Sequence, residues 1–311
     1  MIVKRNFNLI KVIQYVKREM LLSILATATV YWLHTEKIIN AALPFSIIAI
    51  LGSALAIFIA FRNNNAYGRW WEARTLWGGI INSSRVLGRL VITFTDSHAH
   101  QSNYDKKRSE TFKKDILYKT IAWAHALRLH LRRERNWDEL KPLMPADEFH
   151  LLEKYDNKPN FIQMLIGKKI YEAMANGTLA GFDSFQMEGQ LLALANYQGA
   201  CERIKNTPLL RQYDYFTRIF LYTFITLLPL SLIGDFMKME LSYPMMPVSI
   251  IISFVFAIIG KVGEVNEDPF ENRITDVPLS ALCNTIERDL KEMLGEKELP
   301  EKLKILNGYL H

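Results

Sequence analysis

Residues 41–61 read AALPFSIIAILGSALAIFIAF, twenty-one residues without one charge. An α-helix needs about 20 predominantly apolar residues to cross the ~30 Å hydrocarbon core of a bilayer. No other run constrains the fold as strongly. Residues 21–33 are also uncharged, residues 219–237 carry only Asp235, and residues 243–260 carry none. Pro229, Pro244 and Pro247 fall in or beside the last two runs, and membrane helices tolerate proline better than soluble ones do. The alternative, four buried helices in one soluble core, is unusual for segments of this length. Charged residues still make up 23% of the chain, and a mean hydropathy of +0.02 averages two kinds of block. The chain reads as an all-α, four-span membrane protein with a large charged part outside the lipid.

The first twenty residues carry Lys4, Arg5, Lys11, Lys17 and Arg18, with Leu9, Ile10, Val12, Ile13 and Val16 at helical spacing. That pattern predicts an amphipathic helix at the membrane surface. The apolar run at 21–33 resembles a signal-peptide core, but its charged leader is long and Ala26-Thr27-Ala28 lies inside the run rather than after it. A retained first span fits better. Of the 38 Lys and Arg, only Lys37 falls between spans one and two and only Lys238 between spans three and four. The positive-inside rule then places both termini and the middle segment in the cytoplasm, as in a multi-pass protein of the cell inner membrane.

The order along the chain is therefore an amphipathic helix at 1–20, spans one and two within 21–61, and a cytosolic helical region at 62–218. Spans three and four at 219–260 and a cytosolic tail at 261–311 complete it. In the middle region, residues 115–135 place Leu117, Ile121, Ala124, Leu127 and Leu131 on one face. A second helix starts near Pro145 and runs through Phe149, Leu152 and Tyr155, until residues 156–159 (DNKP) break it. A third covers 161–175 and ends at Asn176-Gly177. Asp183 or Ser184 caps a long helix over 185–205 that Pro208 stops. With no repeat, low-complexity run or flexible linker in view, spans and cytosolic helices are expected to form one unit.

Catalysis has no support. H-E-x-x-H, G-x-S-x-G, P-loop and G-x-G-x-x-G patterns are all absent. His98-x-His100, with Asp96 or Asp105 as a third ligand, sits in loop-like TDSHAHQSNYD without a further His or Cys nearby, so its role is read as incidental. Cys201 and Cys283 form neither a disulfide framework nor a zinc ribbon. No cofactor or metal is predicted. Arg128, Arg132, Arg133 and Arg135 are read as a solvated helix face rather than a nucleic-acid surface, since Glu134 interrupts the charge.

Span two carries the informative pattern. Gly52, Ala56 and Ala60 repeat every fourth residue, a small-residue stripe that allows close helix approach. Beside it Ser53, Ile57 and Phe61 share one face. If several copies bring this face to a common axis, rings of Ile57 and Phe61 make an apolar constriction at which an ion must shed water. Periodicity alone favours the plainer alternative, in which the face meets lipid or a neighbouring span. Asn63, Asn64 and Asn65 follow directly and offer both donors and acceptors.

Three motifs add a resemblance. FRNNNAYGRWWEAR at 61–74, GACERIKNTP at 199–208 and EDPFENRITDVPLSALCNTIERDL at 267–290 resemble, in order, segments of bacterial bestrophins. The resemblance implies a homopentamer around one axial pore, with the second span lining a narrow neck at Ser53, Ile57 and Phe61. Ser53 departs from the usual bulky residue there, which widens or wets the outer end. The family also implies a second, cytosolic constriction on the helix near 182–205, at a residue the motifs do not fix. Animal members hold calcium in an acidic run that corresponds here to residues 268–273, DPFENR. Its acids are not contiguous and Arg273 intrudes, whereas calcium wants roughly six to eight oxygens.

The implied function is a passive ion channel that conducts chloride or other anions. The same architecture conducting sodium or another monovalent cation is one alternative, and a non-conducting membrane scaffold is another. A secondary transporter would show inverted repeats with ionisable residues in mid-span, and neither is visible. The implied partners are the permeant ion, the lipid bilayer and further copies of the chain, with no nucleic acid.

Overall fold

A computed structural model describes residues 1–4, 9–38, 42–97, 99–100, 102, 104–240 and 242–310; of Leu9 and Lys11 it describes the backbone. Ten α-helices follow one another among these residues. They are α1 (Leu9–Tyr15), α2 (Lys17–Thr35), α3 (Phe45–Thr95), α4 (Lys106–Arg132), α5 (Ala146–Leu152), α6 (Lys158–Ala175), α7 (Gly181–Asn206), α8 (Arg211–Lys238), α9 (Met245–Asn266) and α10 (Leu279–Met293). A short 3-10 helix, Trp137–Leu143, precedes α5. The described residues contain isolated β-bridges at the chain ends, Ile2 with Tyr309 and Leu306 with Tyr309, but no strand.

The helices group into two compact units, each assembled from separated stretches of chain. One comprises 4–70 and 208–268, the other 1–3, 71–207 and 269–311. In the first, α2, α8 and α9 pack on one another. Its core gathers Val30 from α2, Ile48, Leu55 and Ile59 from α3, Phe224, Ile225 and Leu228 from α8, and Met245 from α9. Gly52 lets the Phe224 ring close on α3, since a Cβ there would stand 3.0 Å from Phe224 Cε2. Ala56 and Ala60, the other members of the small-residue stripe, are exposed. Close packing within the protomer therefore uses only the first of the three.

Among the described residues, three helical stretches are long and apolar enough to cross a membrane: α3, the Gly181–Lys238 stretch through its α8 part, and α9. Helix α2 is not among them. Lys17, Arg18 and Glu19 occupy its first turn, which leaves a run shorter than the ~20 apolar residues of a full span. Its Ser23 and Thr27 are buried, and Thr27 Oγ1 donates to Ser249 Oγ of α9 at 3.2 Å, the kind of polar contact that joins helices where water is absent.

In the second unit α4 is the central helix and packs on α6, α7 and α10. Ile116, Leu117, Ile121, Trp123, Leu127 and Leu131 are all fully buried. Asp105 caps its start by accepting from the Lys107 and Arg108 N–H groups, and Arg133 ends it in the left-handed region at φ 55°. Asn157 caps α6, and Gly177 follows the helix at φ 79°. Helix α7 begins earlier than its sequence suggests, so Asp183 sits in the first turn and reaches back to the Ala180 N–H at 3.1 Å.

Candidate functional site

Helix α3 continues past residue 61 without a break, because nothing in FRNNNAYG removes a backbone donor and a helix needs no interruption where its solvent changes. Its first half has two sharply different faces. Ile48, Leu55, Ile59, Arg62 and Ala66 are buried. Ile48 and Ala66 stand nine residues either side of Ile57, and nine residues are about two and a half turns. Ile57 therefore points directly away from the packed face and is 55% exposed; Phe61, one turn on, is 62% exposed. Ser53 is exposed on the same stripe, its hydroxyl donating to the Ala49 carbonyl at 2.8 Å. The three neck candidates thus share one apolar face that the protomer leaves uncovered.

The three asparagines divide. Asn63 is half-buried, and its Nδ2 donates to the Ile259 carbonyl of α9 at 2.8 Å. Asn64 is exposed and lies seven residues, about two turns, beyond Ile57 on the same stripe. Asn65 is exposed but turned roughly a quarter of a turn away. Only Asn64 extends the Ile57 face.

Sequence reading did not anticipate what lies behind this face. The Arg62 guanidinium is buried, with Nη2 2.6 Å from Asp214 Oδ1 and 3.3 Å from Glu267 Oε2. Asp214 belongs to the first turn of α8 and Glu267 caps α9. Arg211 also pairs with Glu267 at 3.3 Å, Arg218 with Asp214 at 2.7 Å, and Arg69 Nε donates to the Glu267 carbonyl at 2.8 Å. Burial raises the Glu267 carboxyl above its ordinary range, against the opposing pull of Arg62. The carboxylates are the enclosed members, with side chains 21% and 8% exposed, whereas Arg211 and Arg218 are 68% and 55% exposed. Toward solvent the cluster is positive.

Residues 7–292 match the family described as Bacterial/Fungal Bestrophin protein. The chain belongs to the bestrophin family. A Salmonella typhi relative, voltage-dependent anion channel-forming protein YneE, is 33% identical over 91% of this chain and 86% of its own length. The Escherichia coli K12 protein of the same name is 32% identical over 84% and 79%. A crystal structure of a bacterial bestrophin homologue from Klebsiella pneumoniae, in a tryptophan-to-alanine variant, superposes with a TM-score of 0.82 at 30% identity, covering 92% of this chain and 98% of that one.

Two further motif residues of this bestrophin, Glu202 and Asp276, are engaged in bonds within the fold. Glu202, from GACERIKNTP, accepts from Gln198 Nε2 at 2.9 Å and Asn157 Nδ2 at 3.0 Å, with His130 Nε2 at 3.8 Å. Gln198 in turn accepts from the buried Trp123 indole at 3.0 Å. In the tail motif, the Asp276 carboxylate holds its own turn by accepting from the Glu271 and Arg273 N–H groups at 2.7 and 3.1 Å. Among the described residues no three His, Cys, Asp or Glu side chains are grouped as metal ligands.

Of the two weaker candidates, the His98-x-His100 pair rests on His98, which lies outside the described residues. Asp96 is committed to Lys113, Ser109 and Tyr104, and Asp105 to its helix cap. The solvated-face reading holds for Arg133 and Arg135, which are exposed, and is corrected for Arg128 and Arg132. Arg128 is buried and pairs with Glu139 and Glu134, and the Arg132 side chain is 4% exposed and donates to Ser280 Oγ at 2.9 Å. Glu134 and Glu139 neutralise Arg128, and that charge compensation lets it be enclosed.

Proposed function

We propose that this protein is an anion channel whose neck is built from Ser53, Ile57 and Phe61 of several copies, five in the arrangement implied by its family, around one axis. The observation that carries the reading is the exposure of Ile57 and Phe61 on the face of α3 opposite its packing. An uncovered apolar face within a membrane-crossing helix fits a ring of copies that leaves a narrow greasy gap. Such a gap lets ions through only while it stays wet, so it gates by dewetting. Asn64 then supplies amide groups at the inner end, where a partly dehydrated ion regains polar contacts.

An apolar ring does not choose the sign of the ion; surrounding fixed charge does. The outward positive charge of Arg211 and Arg218 supports anions, and so do the names of the Salmonella and Escherichia relatives. On this reading α2 is a fourth, short crossing beside α8 and α9. The basic residues put both termini on the cytoplasmic side of the inner membrane.

Reversal potentials of the reconstituted protein in a tenfold NaCl gradient test the sign. An ideal monovalent selectivity gives about 59 mV per tenfold ratio, and chloride and sodium give opposite polarity. A potential near the chloride value supports the proposal. One near the sodium value makes this a cation channel of the same build, and no current under any gradient leaves a membrane scaffold.

A further inference from the structure

We infer that Arg62 is a positioning residue for the neck: clamped by Asp214 and Glu267, it holds the inner end of the Ile57–Phe61 face in its conducting orientation. The inference rests on the channel reading above and goes beyond it. Phe61 and Arg62 are neighbours on one helix, separated by about 100° of rotation. A roll or slide of α3 that carries Phe61 across the pore must therefore drag the Arg62 guanidinium away from two carboxylates. Those carboxylates are on different helices, Asp214 in α8 and Glu267 at the end of α9. The clamp thus ties α3 to α8 and α9 at one point.

Three features make it a clamp rather than a surface ion pair. The Arg62 side chain is 4% exposed, so water and salt screen it little. Its Nη1 also reaches the Gly260 carbonyl at 3.5 Å, adding a backbone contact from α9. Glu267 is itself held from α8 by Arg211, so the acceptor is anchored outside α3, and Arg69 adds a second bond from α3 to the Glu267 carbonyl. Intermediate positions would strand a buried charge, which favours two discrete arrangements over a continuum.

Single-channel recording of Asp214→Asn and Glu267→Gln tests this. Both substitutions keep side-chain shape and remove charge, and in each Arg62 retains one carboxylate, so the fold is preserved. The mean open time is expected to fall about tenfold, the weight of one charge-assisted hydrogen bond. The conductance of the fully open level should stay at the wild-type value, because Ile57 and Phe61 are untouched. Asp214→Glu, bulkier but charged, should return most of the open time; a mere packing role predicts the reverse order, with the isosteric asparagine better tolerated. Open times within twofold of wild type in both neutral variants overturn the clamp. So does an asparagine variant that gates better than the glutamate one. If the wild type conducts and Ile57→Ala changes its conductance while Asp214→Asn gates normally, the clamp alone is lost. If the wild type passes no current, the channel reading fails first.

Discussion

Asn63 Nδ2 of α3 donates to the Ile259 carbonyl of α9 at 2.8 Å, and the space its amide fills is the space a side chain at position 263 would need. Gly263 is buried, and a Cβ there would overlap Asn63 Oδ1 and lie 3.5 Å from Asn63 Cα. Gly263→Ala is therefore expected to expel the amide and lose the bond, at about 1–3 kcal/mol, the usual cost of overpacking. The apparent melting temperature of the solubilised protein should drop. Gly263→Ala combined with Asn63→Ala should recover part of the loss, because the clash partner has gone.

Gln198 joins α7 to α4 and to the loop before α6 through Trp123, Glu202 and Asn157. Gln198→Leu keeps the volume but strands the Trp123 indole N–H in a fully buried site. An unsatisfied buried donor costs about 1–3 kcal/mol. Thermal unfolding should begin earlier, with no effect on the conductance of channels that remain folded.

Glu287 of α10 has its carboxyl held down to about 2, first by His125 beside it and then by Lys291. His125 Nε2 lies 3.3 Å from one oxygen and Lys291 Nζ 2.7 Å from the other. A depressed carboxylate stabilises the folded state fully above its unfolded value near 4.5, and that contribution disappears as pH falls through the folded value. Stability should therefore decline between about pH 4.5 and 2. Acid titration of the melting temperature checks it: Glu287→Gln should be less stable than wild type at neutral pH, and its curve should flatten across that window.

How much of this was legible depended on how far apart the cooperating residues are in the chain. The apolar run at 41–61 and the i, i+4 repeat of Ser53, Ile57 and Phe61 are local, and the helix over 45–61 follows directly. The end of that helix does not. Arg62 looks like the point where a span stops, because its neutralising partners, Asp214 and Glu267, are more than a hundred and fifty residues away. The same blindness put Arg128 and Arg132 on a solvated face. Position 63 looked equivalent to 64 and 65, since only the fold shows that Ile259 claims one of three adjacent asparagines. Caps formed by nearby groups fared better: Asn176-Gly177 ends α6 as its residue types demand. Helix α10 lay within the family motif and passed unread as a helix, although Leu279, Leu282, Cys283, Ile286 and Leu290 repeat at helical spacing and are all buried.

Ile57→Ala removes branched carbon from each copy's contribution to the neck. A wider gap stays wet more easily, so single-channel conductance should rise and brief closures become rarer in planar bilayers. Ile59→Ala, on the buried face, should instead lower stability by about 2–5 kcal/mol without raising conductance.

Whether the Ile57 face meets water or lipid is settled most directly by a cysteine at that position. The native background is quiet, because Cys201 and Cys283 are fully buried and burial pushes both thiols up, Cys283 to about 12. A membrane-impermeant, negatively charged sulfonate thiol reagent should leave wild-type current unchanged and irreversibly reduce that of Ile57→Cys, while Ile59→Cys stays inert. An Ile57→Cys channel that conducts at full size and carries no label after the same exposure would put that face against acyl chains and contradict the neck.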